Sequence, residues 1–164
     1  MHKYFMRNLL IVSVVTLLGT ICQGQSKPCV FCEIAKGTRQ ANQVVYRDNL
    51  IVAFMSHGPQ NPGHVLVIPI IHSKELTEVA DSTASQMLSI GRKIALAIRK
   101  TDIKCEAFNF KINSGEAAGQ TVFHSHLHVI PRFKGEVQNF DEHKISPEEE
   151  LEAVAKKIKE ALQK

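Results

Sequence analysis

"QTVFHSHLHVIPR", residues 120–132, sets histidines at 124, 126 and 128 in an apolar, β-branched run. The chain has 8 histidines in 164 residues, so three on alternate positions need a physical reason. In a β-strand, alternate side chains share a face and lie ~6.6–6.8 Å apart along the chain. The pattern predicts a strand over residues 121–132. His124, His126 and His128 line one face; Ser125, Leu127 and Val129 line the other, where packing is expected. The outer Cα atoms of the three would be ~13 Å apart. One ion could chelate two neighbours, but gathering all three would strain a straight strand, so divided roles are expected. A single strand histidine is usually a packed or solvated residue, but packing alone does not call for three in register. A neutral imidazole is a nucleophile near pH 7, and a second can act as general acid. The preceding stretch "NSGEAAGQT" offers backbone N–H groups and short polar side chains that suit phosphate oxygens. Together these features point to phosphoryl or nucleotidyl transfer through a phosphohistidine.

Outward from that strand, the pattern is α+β with a mainly antiparallel sheet. "CVFCEIAKG" forms a turn of helix stopped by Gly37. "QVVYRDNLIVAFM" reads as two strands joined by a turn at Asp48-Asn49. "SHGPQNPGH" is a loop by its Gly, Pro and Asn content. A strand runs from His64 through "HVLVIPI" and ends at Pro69. Residues 74–100 read as helical, with Asp81 or Ser82 as cap of a longer helix and Met87, Ile90, Ile94 and Ile98 at helical spacing. "EAFNFKIN" alternates as a strand. The last segment, "SPEEELEAVAKKIKEALQK", reads as a helix: Ser146 as N-cap, Pro147 in the first turn and Glu149 completing a capping box. Leu151, Val154, Ile158 and Leu162 form its expected buried stripe.

Composition narrows the function classes. Hydrophobic residues make up 44% and charged residues 22%, ordinary for a globular protein. The net charge is +4, and Lys3 and Arg7 supply two of those positive charges. The remainder is too weakly basic to argue for nucleic acid as a partner. Residues 1–24 carry Lys3 and Arg7 ahead of an apolar run, Leu9 to Leu18, with small Cys22 and Gly24 near a cleavage point. That reads as a signal peptide removed after Gly24, placing the product in a secreted or periplasmic setting; the alternatives are an uncleaved anchor and a cytoplasmic protein. Residues 25–164 form one domain, and no stable membrane partner is expected of it. Of the four cysteines, Cys22 lies in the signal and three are left, which argues against a disulfide scaffold. Cys29 and Cys32 form a CxxC pair that can be half a zinc site, a redox pair or a disulfide.

The order "CVFCEIAKG", "YRDNLIVAFM", "PGHVLVIPIIH" and "NSGEAAGQTVFHSHLHVIPR" resembles the histidine triad family over residues 28 to about 135. Ser125 is the one departure from the family's apolar spacers. His128 at the third triad position is similar to the hydrolase branches; the galactose-1-phosphate uridylyltransferase branch carries Gln there. The CxxC segment and C-terminal helix look like the bacterial, Hint-like branch. The resemblance implies a curved antiparallel sheet packed by helices, and a homodimer. It implies hydrolysis of nucleoside 5′-phosphoryl compounds such as phosphoramidates and acyl nucleotides, with dinucleoside polyphosphate hydrolysis or catalytically weak nucleotide or zinc binding as the alternatives. By the same resemblance His126 is the nucleophile, and His128, paired with His64, handles the phosphate. Asn113, Gln120 and Thr121 line the phosphate or leaving-group side. Cys29, Cys32, His72 and His124 form a structural zinc site, with no organic cofactor. Ser56 stands where the family commonly holds the ribose with an acidic or amide residue, and a serine can bond only one hydroxyl well.

Overall fold

The computed structural model describes residues 29–136 and 145–164. The expected signal peptide, His2 and His143 lie outside the described residues. The elements are α1 (Val30–Lys36), β1 (Val44–Arg47), β2 (Ile51–Met55), β3 (Val65–Pro69), α2 (Asp81–Ile98), β4 (Ala107–Ile112), β5 (Leu127–Arg132) and α3 (Glu148–Leu162). The strands form one open sheet in the order β1-β2-β3-β5-β4, and every neighbouring pair is antiparallel. This is the α+β architecture that the sequence pattern implies. Among the described residues, no helix is long and apolar enough to cross a membrane.

Strands β2 and β3 are buried along their whole length because helices cover both faces. On one face Ile51, Ala53, Val65, Val67, Leu127 and Val129 pack under α2 and α3, meeting Met87, Ile90, Ile94, Leu151 and Ile158. Each such side chain contributes about 1.5–3 kcal/mol by leaving water. The opposite face carries Val52, Phe54, Leu66 and Ile68 under Phe31, Ile34 and Ala35 of α1. Helix α1 is short, so it covers only part of that face. The uncovered part becomes the site. Gly91 lets α2 approach β5 closely: a Cβ there would stand 2.8 Å from Leu127.

Local rules decide where elements begin and end. Gly37 closes α1 in the left-handed region (φ 77°), donating to the Ile34 carbonyl while Thr38 donates to Glu33. The β1–β2 turn is held by Asp48, whose Oδ1 accepts from the backbone N–H groups of Leu50 and Ile51 at 2.8 Å each.

Five expectations need correction. Strand β5 starts at Leu127 rather than 121, because β3 pairs with it only from Val65–Val129 to Val67–Leu127. The chain before Leu127 turns away: His124 N–H bonds the Val122 carbonyl at 2.8 Å and Ser125 N–H bonds Ser73 at 2.7 Å. Residues 74–80 carry a short 3₁₀ turn at Leu76–Glu78, not α-helix. Helix α2 has Ala80 as N-cap with no side-chain cap, so Asp81 acts as a charge in the first turn, favourable at the helix's positive end. Helix α3 has Pro147 as N-cap and no capping box. Ser146 lies outside it and donates its N–H to the His57 carbonyl. The buried stripe of α3 is Leu151, Ala155, Ile158 and Ala161, while Val154 and Leu162 are only partly buried. The small alanines let this helix sit close against the sheet.

Candidate functional site

The turn before β5 sends the three histidines to two places. His124 is fully buried and leaves the strand face altogether. Its Nδ1 lies 3.5 Å from Cys29 Sγ and 3.6 Å from Cys32 Sγ, and Cys32 Sγ lies 3.3 Å from His72 Nδ1. All four ligand atoms fall within 4.8 Å of one another. A tetrahedral ion with sulfur at ~2.3 Å and nitrogen at ~2.0 Å has sulfur–nitrogen edges of roughly 3.5 Å, so these four side chains could hold such a metal. The cysteines are not joined as a disulfide. His124 Nε2–H donates to the Pro69 carbonyl at 2.9 Å. That bond fixes the proton on Nε2 and leaves Nδ1 as the ligand atom, the usual support for a metal-bound imidazole. Helix α1 supplies the cysteines near its N-terminus, so this group ties α1 to the turn before β5.

His126 and His128 face the other way, into a cavity of about 510 Å³ between α1 and the open sheet face. Their ring centroids are 4.8 Å apart. His126 is buried, and its Nδ1–H donates to the His124 carbonyl at 2.7 Å. Its Nε2 lone pair is therefore the reactive one. Phe31 stands edge-on to its ring at 5.3 Å. Burial pushes the His126 imidazole down from its ordinary value, against the opposing pull of the His124 carbonyl, so the neutral form is favoured. Burial acts on His124 in the same direction, opposed by the Pro69 carbonyl.

Behind His128 stands His64, fully buried at the end of the loop 56–64. The Gln60 backbone N–H donates to His64 Nδ1 at 3.2 Å, so the His64 proton sits on Nε2. That Nε2–H then donates to His128 Nδ1 at 3.0 Å. His128 consequently carries its own proton on Nε2. The tautomers of His64 and His128 thus follow from one backbone amide.

The apolar part of the cavity is Val30, Phe31, Ile34, Phe54 and Leu66; Ser56, His57 and Thr121 add polar groups. Among the described residues no carboxylate lines it, whereas Arg39 and four histidines do, which suits an anionic guest. Asn113 and Gln120 lie outside this lining. Asn113 donates to the Gly119 carbonyl. The Gln120 side chain is buried in the loop it shapes: Oε1 accepts from Gly115 N–H at 2.8 Å, and Nε2 donates to Lys74 at 2.6 Å and Val122 at 3.0 Å. Residues that the sequence did not single out are Phe31, Ile34, Phe54 and Leu66. Period-two counting from Ser56 back to Phe54, and from His64 on to Leu66, would have found the last two.

An open antiparallel sheet with a paired-histidine cavity on one face makes this an α+β protein with its candidate site on the sheet. The chain belongs to the histidine triad family: the HIT domain model matches residues 38–135. It is 34% identical over 137 residues to a HIT-like protein of Saccharolobus solfataricus, covering 82% of this chain and 97% of that one. A zinc-bound histidine triad family protein from Mycobacterium smegmatis superposes with a TM-score of 0.75 at 36% identity, covering 83% of this chain and 94% of that one. The adenylylsulfatase HINT3 of Arabidopsis thaliana is 38% identical over 104 residues, 63% of this chain and 52% of that one.

Gln120→Ala should remove the brace of the loop ahead of the histidines. The change leaves the Gly115 N–H and the Lys74 carbonyl without this partner, while the Val122 carbonyl keeps the His124 N–H, so denaturant unfolding should show a loss of about 2–4 kcal/mol. A loss below about 0.5 kcal/mol would mean that the brace is dispensable.

Proposed function

We propose that this protein hydrolyses nucleoside 5′-phosphoryl compounds with amine or acyl leaving groups, through a nucleotidyl intermediate on His126. The observation that carries the reading is the 2.7 Å bond from His126 Nδ1–H to the His124 carbonyl. It commits the imidazole to one tautomer and leaves a neutral Nε2 beside His128. In the first step Nε2 attacks the α-phosphorus, and the bond from phosphorus to the leaving nitrogen or oxygen breaks. An amine leaving group takes up one proton as the P–N bond breaks, whereas a carboxylate leaves as the anion. In the second step water attacks the same phosphorus, the P–Nε2 bond breaks with its electron pair returning to His126, and one proton is released. The product is a nucleoside monophosphate. His128 Nε2–H is a donor for the phosphorus oxygens as charge builds, and His64 holds it in that tautomer. Thr121 lines the same cavity and adds a hydroxyl. Ser56 is buried at the same cavity and offers the sugar one hydroxyl partner.

In this reading the metal held by Cys29, Cys32, His72 and His124 is zinc, for which two thiolates and two imidazoles are a common structural set. Its role is to cross-link α1 to the turn that carries His124. The zinc-bound relative and the second bond of His124 to Pro69 support it. A second copy of the chain is the proposed partner, paired along β4. That outer strand has exposed Ala107, Asn109, Phe110 and Lys111, an open edge that proteins usually cover.

Two experiments test these assignments. His126→Ala should lower turnover of an adenosine phosphoramidate by at least ~10⁴-fold, and His128→Ala by less, because nothing replaces a covalent nucleophile. Rapid quench with labelled substrate should trap label on His126 in the wild type only; near-normal turnover by His126→Ala, or label elsewhere, contradicts the mechanism. For the metal, protein purified without oxygen should contain about one zinc per chain. Cys32→Ser should lose the ion and melt at a lower temperature. A metal-free protein whose melting point Cys32→Ser leaves unchanged would refute the structural role.

A further inference from the structure

Strand β5 carries His128 and, four residues on, ends at Arg132. Arg132 is 8% exposed and does not line the histidine cavity. Its guanidinium is shared among three side chains. Nε–H donates to Asn109 Oδ1 at 2.7 Å, Nη2–H to Gln60 Oε1, and Nη1–H to Glu136 Oε1 at 3.3 Å. Glu136 comes back to Arg132 because Gly135 turns the chain in the left-handed region (φ 81°). Glu136 Oε2 in turn accepts from Asn61 Nδ2, which also donates to the Pro131 carbonyl at 2.9 Å. The ion pair is shielded from solvent, with side chains 10% and 6% exposed. Taking two charges out of water costs about as much as their attraction returns, so stability alone does not account for this pair.

What the pair holds is the loop that carries His64. Arg132 and Glu136 grip the side chains of two consecutive residues, Gln60 and Asn61. The backbones of those two residues face His64. Gln60 N–H donates to His64 Nδ1 at 3.2 Å, and the Asn61 carbonyl accepts from His64 N–H at 3.1 Å. His64 is 1% exposed, so a ring nitrogen that lost the Gln60 amide would lose a partner that bulk water does not replace. His64 and His128 form a two-state element. They share one hydrogen bond, from Nε2 of the first to Nδ1 of the second at 3.0 Å, and only one of those nitrogens can carry its proton. With the amide on His64 Nδ1, the proton sits on His64 Nε2, and His128 keeps its own on Nε2. Without the amide, His64 can move its proton to Nδ1. His128 then donates from Nδ1 and presents a bare lone pair at Nε2, so one flip carries the other with it.

We propose that Arg132 and Gln60 are positioning residues for the hydrolysis: through the Gln60 amide they fix the tautomer in which His128 offers Nε2–H to the phosphorus oxygens. The proposal rests on the reading of His128 as that donor. Neither residue lines the cavity, so neither touches a guest there, and both act through His64. The strand that presents the donor thus also carries the group that sets its proton. Lysine would not serve in place of Arg132, because one ammonium lacks the planar fork that meets Asn109, Gln60 and Glu136 together.

The test uses Gln60→Ala, Gln60→Glu and Arg132→Lys. Gln60→Ala leaves Arg132 its Asn109 and Glu136 partners, so no charge is stranded and the fold is kept. Gln60→Glu keeps an oxygen acceptor for the guanidinium. Proton–nitrogen correlation on protein labelled with nitrogen-15 histidine reads the tautomers of His64 and His128, and an adenosine phosphoramidate reads turnover. Gln60→Ala should show Nδ1–H forms on both rings. Its kcat should fall ~10-fold or more with KM within ~3-fold, because the donor acts as charge builds in the transition state. Arg132→Lys, a second route to the same loss, should match it. Gln60→Glu should keep the wild-type tautomers and a kcat within ~3-fold of wild type. Wild-type tautomers in both Gln60→Ala and Arg132→Lys overturn the proposal. Shifted tautomers with an unchanged kcat also overturn it, and leave the His126 intermediate standing. A Gln60→Glu protein as slow as Gln60→Ala overturns it as well. No turnover of any nucleotide by the wild type removes the proposed hydrolysis, and this inference with it.

Discussion

The 2.7 Å hydrogen bond from His126 Nδ1–H to the carbonyl of His124 joins the two halves of this molecule. One residue gives its side chain to a cysteine and histidine group, and its backbone oxygen orients the neighbouring imidazole. Phe31, between the two cysteines, stands edge-on to both rings and adds a second link between the buried group and the cavity. The bond exists because the chain bends before β5. On a straight strand, alternate side chains would diverge from the backbone in parallel, and a ring nitrogen could not reach the carbonyl two residues back. The bend also lets His124 leave the cavity face and meet Cys29, Cys32 and His72.

The bend is itself dictated by β3. That strand ends at Pro69, which has no N–H to continue a ladder. Its carbonyl is taken by His124 Nε2 instead of by a strand partner. A second consequence concerns charge. Burial lowers the proton affinity of His124 and His126, so both are suited to act as neutral ligands or nucleophiles. His64 and His128 gain definite tautomers from the amide of Gln60, with no carboxylate among the described residues of the cavity. The described lining of the cavity therefore offers oriented imidazole dipoles.

Much of this was legible in the residues. The alternation of His126 and His128 gave the cavity face, and the packing of Leu127 and Val129 on the other side follows the same period, whereas His124, expected on the same face, leaves it for the cysteines. The expectation of divided roles came from the length of a straight strand, although the chain achieves the division by bending. The bend was not readable, because it depends on a bond to Ser73 and on where β3 stops pairing. Helix starts were misread for a related reason: Ser146 and Ser82 fit cap rules, but neither makes a cap, and the first-turn acids Asp81 and Glu148 to Glu150 offer favourable charge instead. The family resemblance implied a place for Gln120 on the phosphate or leaving-group side; its amide is bonded inside the loop before β5.

The central claim is that neighbouring histidines hold opposite tautomers because they serve different halves of the molecule. Long-range proton–nitrogen correlation on protein labelled with nitrogen-15 histidine reads this directly. His124 should be protonated on Nε2 and His126 on Nδ1, both neutral near pH 7. The same tautomer on both rings, or exchange of His126 between its two forms, would contradict the account.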